Sequence, residues 1–99
     1  MTIDAKNTQL SAVAARLRLT REAFGLEQGE FADRAGIARN AYNQYEQAKR
    51  LPRLDQALRL CEVYGLSLDW IFRGEMAGLP FSIVKTLQNK MPRELIAAE

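Results

Sequence analysis

The stretch from Gln28 to Gln47 constrains this chain more than any other; it reads Q-G-E-F-A-D-R-A-G-I-A-R-N-A-Y-N-Q-Y-E-Q. Apolar residues recur at helical spacing on both sides of Gly36, which predicts two short helices, at about 28–35 and 38–47, joined by a tight turn. Ala32 is small enough to let the two helices cross closely. Gly36 accepts the left-handed backbone conformation that a sharp turn requires.

The second of these helices turns a polar face outward. Its inner face holds Ala41, Tyr42 and Tyr45, and the side chains left outside are Arg39, Asn40, Asn43, Gln44 and Gln47. Arginine and amide side chains are the types that form paired hydrogen bonds with base edges in DNA. Polar residues on a helix also simply face water, so this stretch alone leaves both readings open. In arrangement it looks like a helix-turn-helix with its recognition helix at about 38–47.

The amino-acid composition limits the classes of protein to which the chain can belong. The 99 residues are 47% hydrophobic, which suits one small domain with its own core. No apolar run is long enough to span a membrane and the N-terminus lacks signal-peptide features, so we expect a cytoplasmic protein. The single cysteine, Cys61, excludes an internal disulfide, and the absence of histidine argues against a zinc site. We expect no metal, no cofactor and no enzyme activity, because no catalytic constellation or glycine-rich phosphate loop is present.

Charge is unevenly distributed along the chain. The formal net charge is only +2, but the segment 10–53 carries eight basic and five acidic residues, whereas the segment 54–78 carries two basic and four acidic residues. The basic half contains the candidate recognition helix. This asymmetry favours a polyanionic partner such as double-stranded DNA.

Five segments in order resemble the phage Cro and repressor-like family, the XRE-type regulators. They are R-L-R-L-T-R before Gly25, L-E-Q-G-E-F-A, G-I-A-R-N-A-Y-N-Q-Y-E, the proline at Pro52, and Y-G-L-S-L-D-W-I-F-R-G. The resemblance runs from Val13 to Glu75, about two thirds of the chain. It implies an all-α fold: a compact five-helix lambda-repressor-like DNA-binding domain at 10–78, between a flexible arm at 1–9 and a short helical C-terminal extension at 79–99.

Apolar spacing predicts the remaining helices at about 11–24, 54–64 and 68–73. In the helix at 54–64 it predicts a buried face made of Leu54, Ala57, Leu58, Cys61 and Tyr64. Ser67 is expected to cap the next helix and Trp70 to fill the core, with either Ile71 or Phe72 near the surface. Beyond Pro80, apolar residues recur at helical spacing before Pro92, and this segment packs on its own domain or on a partner.

The resemblance also assigns roles to individual residues. Base contacts fall to Arg39, Asn40, Asn43 and Gln44, and a phosphate contact to Gln28. Arg21 is implied to form an ion pair with Glu46. Tyr42 replaces the valine or isoleucine usual at its inner position, and we expect its ring to be buried with its hydroxyl at the rim. The basic residues around Pro52 either contact the DNA backbone or form a solvated loop; they are Lys49, Arg50 and Arg53. A dimer interface is implied at Leu66, Leu68, Ile71, Phe72 and Phe81.

The chain departs from the family pattern at the start of each of the two crossed helices and at the end of the second. Glu27 and Ala38 stand where a hydroxyl cap is usual, and Ala48 stands where glycine normally ends the recognition helix. Glu27 and Glu30 suit the helix dipole but repel phosphate, so we expect weaker non-specific DNA binding than in a typical relative.

The leading hypothesis is a repressor-type, sequence-specific DNA-binding transcriptional regulator that binds a palindromic operator as a homodimer through the major groove. An antitoxin, with a toxin as protein partner, and a restriction–modification controller are alternatives with the same fold. A protein-interaction module that has lost DNA binding is the alternative from another class.

Overall fold

The computed structural model describes residues 9–91. Within this range the chain forms six helices and no strand. In order they are α1 Leu10–Ala23, α2 Gln28–Arg34, α3 Arg39–Glu46, α4 Leu54–Tyr64, α5 Leu68–Arg73 and α6 Phe81–Lys90. The prediction of an all-α, lambda-repressor-like domain is confirmed. No helix within residues 9–91 is long and apolar enough to cross a membrane. The predicted arm lies outside these residues except for Gln9, and so does the end of the predicted extension, 92–99.

The turn between α2 and α3 is closed by backbone hydrogen bonds around Gly36. Gly36 has φ 69°, and its amide donates to the carbonyl of Asp33 at 3.0 Å. The amide of Ile37 donates to the carbonyl of Ala32 at 2.9 Å. Ala32 is fully buried, which lets α3 cross α2 closely.

Aromatic side chains form the centre of the core. The ring of Phe31 stacks on that of Tyr64 with centroids 4.2 Å apart, and lies tilted against Tyr42 at 5.3 Å. The Tyr64 hydroxyl donates to the carbonyl of Phe31 at 2.8 Å, which satisfies its polar end. Trp70 is buried as predicted, and its indole N–H donates to the Thr20 hydroxyl at 3.0 Å. These contacts join α1, α2, α3, α4 and α5 in a single core.

The predicted cap of α5 is present, because the Ser67 hydroxyl accepts a hydrogen bond from the amide of Trp70 at 3.0 Å. Of the two residues proposed for the surface of α5, Phe72 is half-buried and Ile71 is fully buried. Because Ile71 is fully buried and Leu66 is 8% exposed, these two side chains offer little surface to a second subunit, and the dimer interface itself stays a prediction. Both side chains complete the core of their own subunit.

The predicted buried face of α4 is rotated from the one observed. Leu54 is 62% exposed and Leu58 is 44% exposed, whereas Ala57, Leu60 and Tyr64 are buried. The helix carries leucines on two sides, so both sets satisfy helical spacing and only the contacts with other helices select one. Cys61 lies at the edge of the buried face, half-buried, rather than in the core.

The C-terminal helix α6 packs against α1 and completes the core of the domain. Leu79 and Leu87 are buried, and Ile83 lies where a side chain on Gly65 would contact it. Residues 79–91 therefore share one core with α1–α5. Phe81, at the start of α6, is 77% exposed.

Candidate nucleic-acid interface

The helix α3 presents its polar residues on one surface and buries the opposite side. Tyr42, Tyr45 and Glu46 are buried in the domain. Of the side chains assigned to base contacts, Arg39 and Asn40 are exposed, and Asn43 and Gln44 are half-buried. The structure thus places all four on the accessible side of a two-turn helix, where their base contacts remain a prediction.

The buried carboxylate of Glu46 ties α1, α2 and α3 together. Arg21 donates to it with two groups, Nε to Oε2 at 2.7 Å and Nη2 to Oε1 at 3.1 Å. The Gln28 amide donates to Oε1 at 2.9 Å, and the Tyr42 hydroxyl donates to Oε2 at 2.5 Å. The ion pair implied for Arg21 and Glu46 is present. Because each oxygen accepts two hydrogen bonds, the buried charge is well compensated.

Electrostatics at this cluster favour the ionised carboxylate. Burial by itself would raise the pKa of Glu46, but the hydrogen bonds from Arg21, Tyr42 and Gln28 prevail and hold that pKa below its usual range. The hydrogen bond to Glu46 also raises the pKa of Arg21. Burial, reinforced by the bond to Glu46, raises the pKa of Tyr42. The cluster therefore carries a fixed pair of opposite charges at neutral pH.

Two residues of this cluster differ from the expectations drawn from the sequence. The sequence predicts the Tyr42 hydroxyl at the rim of the domain, but Tyr42 is fully buried and its hydroxyl donates to Glu46. Gln28 was assigned to a phosphate, and here its amide nitrogen donates to Glu46. An amide nitrogen has two N–H groups, so one remains for a phosphate and that contact stays a prediction. Tyr42 and Glu46 are four residues apart in α3, a spacing that puts them on one face of the helix and could have revealed this pair, whereas no sequence pattern links Gln28 to Glu46.

Arg39, the first residue of α3, lies back over α2. Its guanidinium forms a two-point ion pair with Asp33, from Nε to Oδ1 at 3.2 Å and from Nη2 to Oδ2 at 2.7 Å. The same group rests on Gly29, because a β-carbon there would stand 2.7 Å from Cζ and Nη1. Hydrogen bonding to Asp33 raises the pKa of Arg39, and the bond from Arg39 lowers that of Asp33. No pattern in the sequence points to a role for Asp33 or Gly29 beside Arg39.

The basic loop after α3 is held in place by Tyr45. The Tyr45 hydroxyl donates to the side chain of Gln56 at 2.5 Å and accepts the backbone amide of Arg53 at 3.4 Å. Lys49 and Arg50 are exposed, and the Arg50 guanidinium lies 5.8 Å from the centre of the Tyr45 ring. Arg53 is exposed and pairs with Asp55 at 3.3 Å. Contact of this loop with the DNA backbone remains a prediction.

Within residues 9–91 no cluster of histidine, cysteine or acidic side chains is arranged to hold a metal ion. What the structure presents is a short polar helix held across a second helix by a glycine turn, next to an anchored basic loop. Together these features define a helix-turn-helix DNA-binding domain.

A family model described as "Helix-turn-helix" matches residues 17–71. The chain belongs to this family, the XRE-type helix-turn-helix transcriptional regulators, and so to a class of DNA-binding regulators.

Three relatives from Bacillus subtilis (strain 168) are described as HTH-type transcriptional regulators. The SPbeta prophage-derived YonR is 34% identical over 82 residues, which cover 83% of this chain and 72% of YonR. YobD is 38% identical over 56 residues, covering 57% of this chain and 50% of YobD. YqaE is 34% identical over 59 residues, covering 60% of this chain and 51% of YqaE. The match thus spans about half the length of YobD and of YqaE. No solved structure matches the chain.

Proposed function

We propose that this chain is a sequence-specific, repressor-type transcriptional regulator that binds a palindromic operator as a homodimer. In this proposal α3 of each subunit enters the major groove of one half-site, with half-site centres about 10 bp apart. The observation that carries it is the exposed polar face of α3, fixed from behind by the buried carboxylate of Glu46.

The cluster around Glu46 supports base reading because it makes α3 rigid. Arg21 anchors α3 to α1, and Gln28 anchors it to the first turn of α2. A recognition helix held from two sides loses little conformational freedom when it binds, so its polar contacts are not offset by ordering. The base-reading side chains then act from a preformed surface.

The groups that flank α3 are suited to fix its position on the duplex. The start of α2 contacts the last residue of α3, Glu46, through Gln28, and the exposed loop with Lys49 and Arg50 follows the end of α3. Contacts from such groups to phosphates set the register of a protein on DNA without reading its sequence. Mechanism in this proposal is occupancy: the bound dimer blocks polymerase, and no catalytic step is involved.

Acidic side chains near α2 moderate this attraction. Glu30 pairs with Arg34 at 2.7 Å, and Asp33 pairs with Arg39 at 2.7 Å, so both arginine charges are offset by a neighbour. Non-specific affinity depends on uncompensated positive charge facing the phosphates. We therefore expect weak binding to random DNA and a relatively large share of affinity from base contacts.

The test is selection of duplexes from a random library by the full-length protein, followed by titration in fluorescence anisotropy. We expect a selected sequence with two-fold symmetry, and an affinity for it that falls steeply as salt rises. A protein that selects no duplex over random DNA, or whose binding ignores salt, is not the proposed regulator. Either result would favour the alternative, a protein-interaction module.

Base reading is tested with Asn40→Ala and Gln44→Ala. Each should weaken binding to the selected duplex by about 1–3 kcal/mol and relax the preference at one base pair, with little change on random DNA. Asn89→Ala is the matched control, because Asn89 is an exposed amide on α6. An equal loss on selected and random duplexes would show that Asn40 and Gln44 contact only the backbone.

A further inference from the structure

The ion pair between Arg39 and Asp33 uses only one edge of the guanidinium. Asp33 accepts one N–H from Nε and one from Nη2. A guanidinium has five N–H groups in a fixed plane, so both N–H groups of Nη1 and one of Nη2 remain. Two of these point side by side along the end of the side chain. The pair with Asp33 therefore leaves a two-donor edge with its orientation set.

The guanidinium plane of Arg39 lies against the backbone of Gly29. A β-carbon at Gly29 would stand 2.7 Å from Cζ and Nη1 of Arg39 and 3.0 Å from Nε, so any side chain there would displace the guanidinium. Gly29 does not have a positive φ, so its own backbone does not require glycine. The Arg39 guanidinium occupies the space that the missing side chain of Gly29 leaves over the first turn of α2. Contact with Gly29 and the two-point pair with Asp33 together favour one orientation of the group.

The remaining donor edge matches one base. Guanine presents two adjacent acceptors in the major groove, O6 and N7, and a two-donor arginine edge bonds both. Adenine places an N–H donor next to N7, so the same edge would meet a donor there. Arg39 begins α3, and the first residues of a recognition helix are those that contact base edges.

We propose that Arg39 reads a guanine in each operator half-site and that Asp33 and Gly29 are positioning residues for this contact. The inference rests on the proposed function and names one base and three residues within it. Asp33 also offsets the positive charge of Arg39 and places a carboxylate next to it, which disfavours a phosphate at the same edge. The arrangement thus trades non-specific attraction for selectivity at one base pair.

The first experiment uses the duplex selected by the full-length protein, with each guanine replaced in turn by adenine or by 7-deazaguanine, which lacks N7. For the wild-type protein we expect one guanine per half-site at which either replacement weakens binding about tenfold or more. For Arg39→Ala the same replacements should have no further effect. Arg39→Lys retains the charge without the planar edge, so it should lose most of this discrimination.

The second experiment separates positioning from folding. Asp33→Asn should lower discrimination at that guanine several-fold while it strengthens binding to random DNA, because it removes a negative charge at the interface. Asp69→Asn is the matched control, since Asp69 is an exposed carboxylate on α5. Gly29→Ala should displace the flexible guanidinium, lose the same discrimination, and leave the melting temperature unchanged or higher.

The possible outcomes are distinguishable. If Arg39→Ala weakens binding equally for every base replacement, Arg39 contacts phosphate and the inference is wrong. If a duplex is selected but none of its guanines depends on Arg39, the inference fails and the proposed function stands. If Asp33→Asn and Asp69→Asn behave alike, Asp33 has no positioning role. If the wild-type protein selects no duplex, the proposed function fails and the inference fails with it.

Discussion

At the residue scale, the position of α3, whose polar face is proposed to contact bases, depends on one buried carboxylate, that of Glu46. Its side chain is 1% exposed and that of its partner Arg21 is 13% exposed, so solvent screens the pair poorly. Removal of either partner leaves the other charged group buried without compensation, at a cost of up to ~3–5 kcal/mol. The pair need not make the domain more stable than an apolar substitute would. What it does is fix how α1, α2 and α3 meet.

This pair predicts an acid dependence of stability. The pKa of Glu46 in the folded protein lies below its ordinary value of 4.5, so the unfolded chain binds the proton more readily. The stabilisation is therefore fully present above about pH 4.5 and is lost as the pH falls through the folded pKa. Urea unfolding between pH 3 and 7 measures this, and Glu46→Gln should be less stable at neutral pH and should lack this part of the acid-dependent decline.

The control for this prediction is Glu22→Gln, because Glu22 is an exposed glutamate on α1. It should lose little stability at neutral pH, in contrast to Glu46→Gln, because Glu22 is exposed. Parallel curves for wild type and Glu46→Gln would show that the carboxylate titrates alike in both states, which contradicts the depressed pKa.

At the element scale, α3 lacks stabilising residues at both of its ends. Ala38, at its N-cap, makes no side-chain cap hydrogen bond. Ala48, just beyond its end, has φ 60° and is the only residue other than glycine with positive φ among those the structure describes. This left-handed conformation costs alanine roughly 1–2 kcal/mol relative to the right-handed region, a cost that glycine does not bear. The helix is held by its tertiary contacts more than by its ends.

Ala48→Gly is therefore predicted to stabilise the protein by about 1 kcal/mol, because glycine adopts the observed conformation without the steric penalty. The free energy of unfolding from urea titration measures the effect. Ala77→Gly is the control, since Ala77 is exposed and does not have a positive φ, so glycine should there be slightly destabilising. Equal effects of the two substitutions would mean that Ala48 bears no strain.

The elements themselves were predictable from sequence, and their faces only in part. Each of the helices α1 to α5 begins and ends within two residues of its predicted bounds, because glycines such as Gly36 and Gly65 mark the turns and apolar spacing marks the helices. The prediction of which face of α4 is buried was wrong, because leucines lie on two sides of that helix. Asp33 and Gly29 were missed as partners of Arg39, because they approach it across a turn and no helical periodicity relates residues on different helices.

At the scale of the whole molecule, α6 is part of the domain rather than an appendage. Leu87 is fully buried and α6 lies against α1. We predict that Leu87→Ala costs about 2–5 kcal/mol of unfolding free energy, by loss of burial and creation of a cavity. Leu58→Ala, at a leucine 44% exposed, should cost much less. Similar values for the two in urea titration would contradict a core role for α6.

The proposed homodimer would need apolar residues that the fold leaves accessible. With Leu66 and Ile71 buried, the predicted interface retains Leu68 and Phe72, which are half-buried, and Phe81, which is 77% exposed. A single recognition helix reads too few base pairs to compete against the many random sites of a genome, so selectivity favours a symmetric dimer. We propose that a second copy of the chain covers Phe81, and that this contact supplies the two-fold axis of the operator complex.

Phe81→Glu tests this, because a charge at an interface between identical surfaces faces its own copy and loses the apolar contact. We expect the variant to sediment as a monomer, to keep its melting temperature, and to bind the selected duplex about tenfold or more weakly than wild type. Leu54→Glu is the matched control on the other exposed apolar face, where Leu54 is 62% exposed and Leu58 lies one turn further along α4. Dissociation by Leu54→Glu instead would place the interface along α4, and a wild-type protein that stays monomeric with the operator present would rule out the dimer.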